Sequence, residues 1–481
     1  MKITLKYIEA FLLLSIILGS SGIFISNYLT PNNERNHDLR FNDLLYTTHK
    51  PNTEEPTKPD FVRGELEKYR ISLNLSHQMT LDIAEGNEYT IPRVLKQYDM
   101  DGDGDEEIIA TYYYNIYLDK TSQQFTHQIT YLYIFDVKQM RIATVAKIQI
   151  QQPDGVPFDV ANAQITDIKF VRNETQVILY ILGQIYVGGI ESDGFIMKYT
   201  YQNTQFTYVS SASFGPLRDI VGYSYGFIQD WDEDGRDEMI IFYGEAEHDQ
   251  KNYLGIIVYS LDSLNVEKHT NFRPRVMSDD SSICPTTVSP VNGSDGKYAL
   301  ISCSLSGGTY SGLALMKLSK STISAGSFIR LTSSLGQKIS KVIVEDFIPS
   351  IPGEEILTTS TVATDVTNIH LYSIWDKGLY DLIADSIPLS YDYLAAGEKF
   401  IIGGGIRSNT TTTDIYLKTF SRSGIYPMQD FRISDDTDLT LKNIIIGKFQ
   451  GDTEMILVSA FRIYPGGIAS LYLYSYTPLE A

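Results

Sequence analysis

The chain has 481 residues, room for a large core, and its 34 Tyr and 21 Phe accompany abundant Ile, Val and Thr, which suit pleated, half-buried surfaces better than helices. A formal charge of −20, with no run of Lys and Arg to reverse it locally, argues against nucleic-acid binding, because such a surface repels phosphate backbones. Charged residues make up only 20%, which is not the balance of a disordered chain.

Residues 1–29 set the address. Lys2 and Lys6 precede an apolar stretch that runs from Tyr7 to Leu29. It has two readings. With Ala10 to Leu18 as an apolar region before a cleavage site at Gly19 to Gly22, it is a secretory signal peptide. If the run continues through Ile23, Phe24 and Ile25, it approaches the roughly 20 residues of a bilayer span and stays as a single-pass signal anchor. Either reading puts the rest of the chain outside the cytoplasm, secreted or held on the membrane by an uncleaved segment. Residues 30–62, rich in Pro, Asn and Glu and without apolar periodicity, read as a disordered linker.

From about residue 89 the chain repeats a unit: an acidic or Gly-containing turn, then a short apolar run. The copies are DGDGDEEIIATYYY ending at Tyr114, RNETQVILYIL at Leu182, DEDGRDEMIIFYG at Gly244 and NGSDGKYALISCS at Ser304. IPGEEILTTS at Ser360, AAGEKFIIGGG at Gly405 and GDTEMILVSA at Ala460 make seven. Each is followed by a second strand apolar on both faces, such as TYLYIFDV from Thr130 or ASLYLYSY from Ala469, which needs cover on both sides. A strand before the turn and one after the pair bring the unit to four.

This predicts an all-β chain: a seven-bladed β-propeller of four-stranded antiparallel blades over 63–481, preceded by one N-terminal hydrophobic helix and the linker. The blades fall at about 89–155, 156–215, 216–277, 278–335, 336–388, 389–437 and 438–481. The last lacks an outer strand. A segment at about 70–83 is expected to supply it and close the ring; the other reading is an independent N-terminal hairpin.

The two cysteines, Cys284 and Cys303, flank a turn signal at Asn292 to Gly296 that lies nearly midway between them. A hairpin centred there sets them opposite each other, suited to a cross-strand disulfide in an oxidising compartment; two buried thiols are the other reading.

Two of the seven turns carry chemistry. The first runs Asp99, Met100, Asp101, Gly102, Asp103, Gly104, Asp105, Glu106, Glu107. The second runs Asp230, Trp231, Asp232, Glu233, Asp234, Gly235, Arg236, Asp237, Glu238. Both place carboxylates at positions 1, 3, 5 and 9 and Gly at 6, wrapping oxygens about one point. Such crowding calls for a hard cation, and Ca2+ suits irregular six- to eight-oxygen cages. An EF-hand needs Glu at position 12 and flanking helices; position 12 here is Ala110 or Ile241, and the flanks are strand-like.

D-x-D-x-D-G-x-x-E before an apolar strand resembles the FG-GAP or VCBS repeat, the calcium-loop unit of the integrin α-subunit propeller. The resemblance implies two Ca2+ sites. One would be held by Asp99, Asp101, Asp103, Glu107 and the Asp105 carbonyl, the other by Asp230, Asp232, Asp234, Glu238 and the Arg236 carbonyl. The other five turns have lost ligands, and Lys297 and Lys448 stand in or near two of them, where a side-chain cation could replace a metal's charge. The seven His are scattered without zinc spacing, and no catalytic set stands out. The expected function is therefore a calcium-stabilised, extracellular or membrane-tethered module that binds a protein or glycan through loops on one face. An exported polysaccharide-acting enzyme and a structural subunit of a surface assembly are the alternatives.

Overall fold

The computed structural model describes residues 70–81, 90–117, 125–138, 141–150, 161–187, 191–214, 224–246, 252–272, 283–305, 310–319, 322–330, 339–363, 366–375, 378–388, 393–408, 413–422, 427–433, 439–462 and 468–479. The N-terminal apolar segment and the linker lie outside them. The compact unit that carries them spans Pro51–Ala481.

The unit opens with β1 (Arg70–Leu81). Blade one is β2 (Thr90–Tyr98), β3 (Glu107–Tyr117), β4 (Phe125–Lys138) and β5 (Arg141–Gln149). Blade two is β6 (Ala161–Arg172), β7 (Val177–Val187), β8 (Glu191–Gln202) and β9 (Gln205–Phe214). Blade three is β10 (Tyr225–Gln229), β11 (Glu238–Ala246), β12 (Asn252–Ser260) and β13 (Val266–Phe272). Blade four is β14 (Ile283–Gly293), β15 (Gly296–Leu305), β16 (Tyr310–Ser319) and β17 (Thr322–Arg330). Blade five is β18 (Ile339–Glu345), β19 (Glu355–Ala363), β20 (Val366–Trp375) and β21 (Gly378–Pro388). Blade six is β22 (Tyr393–Ala396), β23 (Phe400–Ser408), β24 (Thr413–Ser421) and β25 (Pro427–Ile433). Blade seven holds β26 (Leu439–Gln450), β27 (Thr453–Arg462) and β28 (Ile468–Leu479).

Among the described residues these strands form seven four-stranded antiparallel sheets: a seven-bladed β-propeller. The first strands of successive blades touch in turn, β2 to β6, β6 to β10, and so on to β26, which returns to β2. They line the axis. The outermost place in blade seven is taken by β1, which pairs antiparallel with β28 from Arg70↔Leu479 to Leu81↔Ala469. Among the described residues the first strand, β1, therefore completes the sheet of blade seven, as expected from the repeat.

The middle strands show why a ring forms. Ile108, Ile109 and Ala110 are all buried, as are Ile240, Ile241 and Phe242, although alternate residues point to opposite faces. Each blade is thus apolar on both sides and needs a neighbour on both. Among the described residues the buried apolar side chains fall into seven clusters, each drawn from two adjacent blades. At the seam of blades six and seven the fit is close enough that a Cβ on Gly404 would run into Ile444 and Leu441.

One expectation is corrected here. The tight turn pairs Gly293 with Gly296, and a bulge between Pro285 and Thr287 then shifts the ladder. Cys284 stands opposite Ser304 and Cys303 opposite Pro285, so the cysteines are one step out of opposition. Cys303 is a buried thiol rather than half of a disulfide, and its Sγ donates to the Gly312 carbonyl at 3.6 Å.

Removing residues 1–81 should leave β28 with an open edge and strip Ile71 from its cluster, where a buried side chain of that size contributes about 1.5–3 kcal/mol. A lower melting temperature together with self-association by light scattering is expected. A monomer that melts like the full chain would refute the closing role of β1.

Candidate metal centres

The two acidic loops occupy the same step of the repeat, between the first and second strands of blades one and three. Their backbones match. Position 4 is left-handed in both (Gly102 φ 88°, Glu233 φ 62°), and so is position 6 (Gly104 φ 96°, Gly235 φ 90°). Glycine takes that conformation without strain; Glu233 is held in it by the loop.

In blade one, Asp99, Asp101 and Glu107 each bring a carboxylate oxygen within 4.8 Å of the others. The loop's own amides orient them. Gly102 N–H donates to Asp99 Oδ1 at 2.5 Å, Asp103 N–H to Asp101 Oδ1 at 3.1 Å, and Met100 N–H to Glu107 Oε2 at 2.5 Å. Asp103 and Asp105 stand outside the trio: Asp103 Oδ1 accepts from Asp105 N–H at 2.9 Å, and Asp105 Oδ1 from Gly451 N–H at 2.6 Å.

In blade three the trio is Asp230, Asp232 and Asp234. Asp234 N–H donates to Asp230 Oδ1 and Asp232 Oδ1, both at 3.1 Å, and Arg236 N–H donates to Asp234 Oδ1 at 2.8 Å. Glu238 is not in the trio; its Oε2 accepts from Trp231 N–H at 3.3 Å. The ninth-position glutamate thus serves the backbone of position 2 in both loops.

These glutamates begin β3 and β11 and are nearly inaccessible, Glu107 at 4% and Glu238 at 3% exposure. Burial pushes Glu107 up to about 8 and Glu238 up to about 7, and neighbouring carboxylates add to the shift, Asp101 first for Glu107 and Glu267 first for Glu238. Blade five repeats the device with a single aspartate, Asp346, left in its turn. Glu355, at 0% exposure, accepts from Phe347 N–H at 2.8 Å and Ile348 N–H at 2.9 Å through Oε2. The donor sets of blades one and three fit a hard divalent cation: all oxygen, anionic and gathered about one point.

Sequence reasoning missed the cations that neighbouring blades lend these loops. Arg172, at the end of β6 in blade two, bonds the Asp99 carbonyl and lies 3.2 Å from Asp99 Oδ1. Lys297 in blade four donates to the Asp230 carbonyl at 2.9 Å. Lys297 therefore serves an intact loop next door, not the degenerate turn of its own blade. Lys448 pairs with Glu398 of blade six at 2.9 Å, beside a turn that has lost its ligands. Nearer the axis, Asp167 of β6 is gripped by Lys96 of β2 and by Lys169, both at 3.0 Å. Burial opposes its ionisation, but the two ammonium groups outweigh that and hold its pKa below the ordinary value.

No protein-family model matches the chain, and no curated protein matches it. Similar solved structures include a protein of unknown function from Dyadobacter fermentans, at 10% identity and TM-score 0.43, covering 84% of this chain and 99% of that one. An α-L-arabinanase of Penicillium chrysogenum complexed with arabinobiose is similar at 12% identity and TM-score 0.42, covering 74% and 99%. The WD40 domain of SCAP from fission yeast is similar at 9% identity and TM-score 0.38, covering 84% and 98%. All three fall below a TM-score of 0.5, and the fold assignment rests on this chain's own strand pairing.

Burial pushes the Glu355 pKa from 4.5 up to about 7, against the two amide bonds that favour the carboxylate. Its contribution to stability is therefore complete below pH 4.5 and lost as pH rises through about 7. Glu355→Gln should remove that loss. Urea midpoints across this range should fall less with rising pH in the variant than in the parent; parallel curves would refute the assignment.

Proposed function

We propose that this chain is a calcium-stabilised binding propeller of the FG-GAP type, secreted or tethered on the outer side of a membrane, that takes a protein or glycan ligand on the loops of one face. One observation carries the reading: at the same step of blades one and three, three carboxylates bring ligand atoms within 4.8 Å of one another. Two unit charges about 4 Å apart repel by about 4 kcal/mol near a protein surface, so each trio is poised for a cation.

Asp99, Asp101 and Glu107 would hold one ion and Asp230, Asp232 and Asp234 the other. Asp103, Glu238 and the carbonyls of Asp105 and Arg236 are the further oxygens that the FG-GAP pattern supplies. The bound ion contributes charge neutralisation and loop rigidity. Ca2+ is preferred to Mg2+ because these ligands are many, flexible and mostly side-chain carboxylates, where Mg2+ demands a near-ideal octahedron and retains its waters. Ligand binding is assigned to the loops because the strands spend their side chains on packing between blades, leaving the strand connections to vary. Export follows from the apolar N-terminal segment behind Lys2 and Lys6.

Thermal melting tests the cation reading. Ca2+ at about 100 times its Kd should stabilise by about 2.7 kcal/mol per site, and EDTA should reverse the shift. Asp101→Asn with Asp232→Asn should abolish most of it. A melting temperature indifferent to Ca2+ in the parent protein would end the proposal.

A further inference from the structure

The blade-one loop also reaches across the seam where the ring closes. Glu106 N–H donates to the Lys448 carbonyl at 2.7 Å, and Lys448 N–H returns a bond to Glu106 Oε2 at 2.8 Å. Gly451 N–H donates to Asp105 Oδ1 at 2.6 Å, and Gln97 Nε2 donates to the Ile446 carbonyl at 2.5 Å. Gly447 lies inside this grip. A Cβ there would stand 2.5 Å from Glu106 Oε2 and 3.0 Å from Gln97 Cδ. Blade one thus holds the end of β26 and its turn at four backbone points.

The same clamp occurs where no acidic trio exists. Glu354 of blade five exchanges two bonds with Asn292 of blade four, at 2.7 and 2.8 Å. Glu454 of blade seven accepts from Glu398 N–H of blade six at 2.8 Å, and a Cβ on Gly397 would stand 2.9 Å from its Oε2. The clamp is therefore a property of the fold that needs no ion. Among the described residues, members of such a clamp lie inside an acidic trio's loop only at the closing seam, where they are Asp105 and Glu106. The blade-three loop is joined to its neighbour differently, through Lys297.

We propose that the blade-one loop is a latch that couples cation occupancy to closure of the ring, an inference that rests on the cation reading above. A divalent ion that orders Asp99 to Glu107 fixes Asp105 and Glu106 against the Lys448–Gly451 turn. By linkage, an intact clamp tightens cation binding by the same factor.

Gly447→Ala tests this without altering any acidic residue. In an Asp232→Asn background, which disables the blade-three loop, Ca2+ titration calorimetry on the full chain should show binding about ten-fold weaker when Gly447→Ala is added, the effect of losing roughly one net hydrogen bond. Gly397→Ala, which strikes the matching clamp of blades six and seven, should leave Ca2+ affinity unchanged. Hydrogen exchange gives the second readout: Ca2+ should slow the Lys448 and Gly451 amides by about ten-fold in the Asp232→Asn protein and not once Gly447→Ala is added. If Gly447→Ala does not fold, Glu106→Ala, which removes no proposed ligand, carries both measurements. Unchanged Ca2+ affinity, or seam amides indifferent to bound Ca2+, overturns the latch and leaves the cation reading standing. Absence of Ca2+ binding overturns both.

Discussion

Everything in this molecule depends on sheets that are apolar on both faces and must be covered twice. A blade such as β2–β5 cannot satisfy that condition alone, and an open stack would leave two apolar ends. A closed ring meets it for every blade. The core is accordingly seven layers between blades, with aromatic pairs across several of them: Tyr98 stacks on Phe170 at 4.8 Å, and Phe400 meets Tyr476 edge-on at 4.9 Å. Polar chemistry is driven to the axial strands and to the loops, and the acidic trios lie in the loops.

The fold was largely legible because its cause is local. Runs such as VILYIL and YLYIF are apolar at every position, the turns between them are rich in Gly and carboxylate, and the unfinished last repeat called for a strand from elsewhere. The cysteine pairing was misjudged because the turn is centred between Ser294 and Asp295, past the midpoint of the two cysteines; that register carries them out of opposition, and the bulge near Thr286 recovers only part of the offset. In the loops, the alternating aspartates were visible as one constellation. Which of them converge was not: Asp103 and Asp234 hold the same position and each accepts from the amide two residues on, yet only Asp234 joins a trio. Arg172 lies 73 positions from Asp99, and no local pattern joins them. The doublets Glu106–Glu107 and Glu354–Glu355 were readable as a repeat, but their division of labour was not: the second glutamate serves its own loop and the first the preceding blade.

That division describes how adjoining blades are registered on this face. The following blade sends a group back to the one before it: Glu106 to blade seven, Arg172 to blade one, Lys297 to blade three, Glu354 to blade four, Arg422 to Glu345 of blade five, Glu454 to blade six. The hydrophobic drive behind this packing is itself non-directional, whereas a hydrogen bond is not. These polar contacts supply the directionality that the seams lack. Three basic side chains, Arg172, Lys297 and Arg422, share that role with three glutamates.

The pairing of β1 with β28 also orders events in time. Ile71 finds its partner, Pro478, only after the six intervening blades have been made, so blade seven is completed after them however early they assemble. Until then both flanks of the growing arc present bare apolar sheet, a state prone to pairing with other chains. Contacts of such long sequence separation are slow to form. A cell producing this protein would have to shield the arc during that interval, and the demand would fall on the chaperones of whichever compartment receives it.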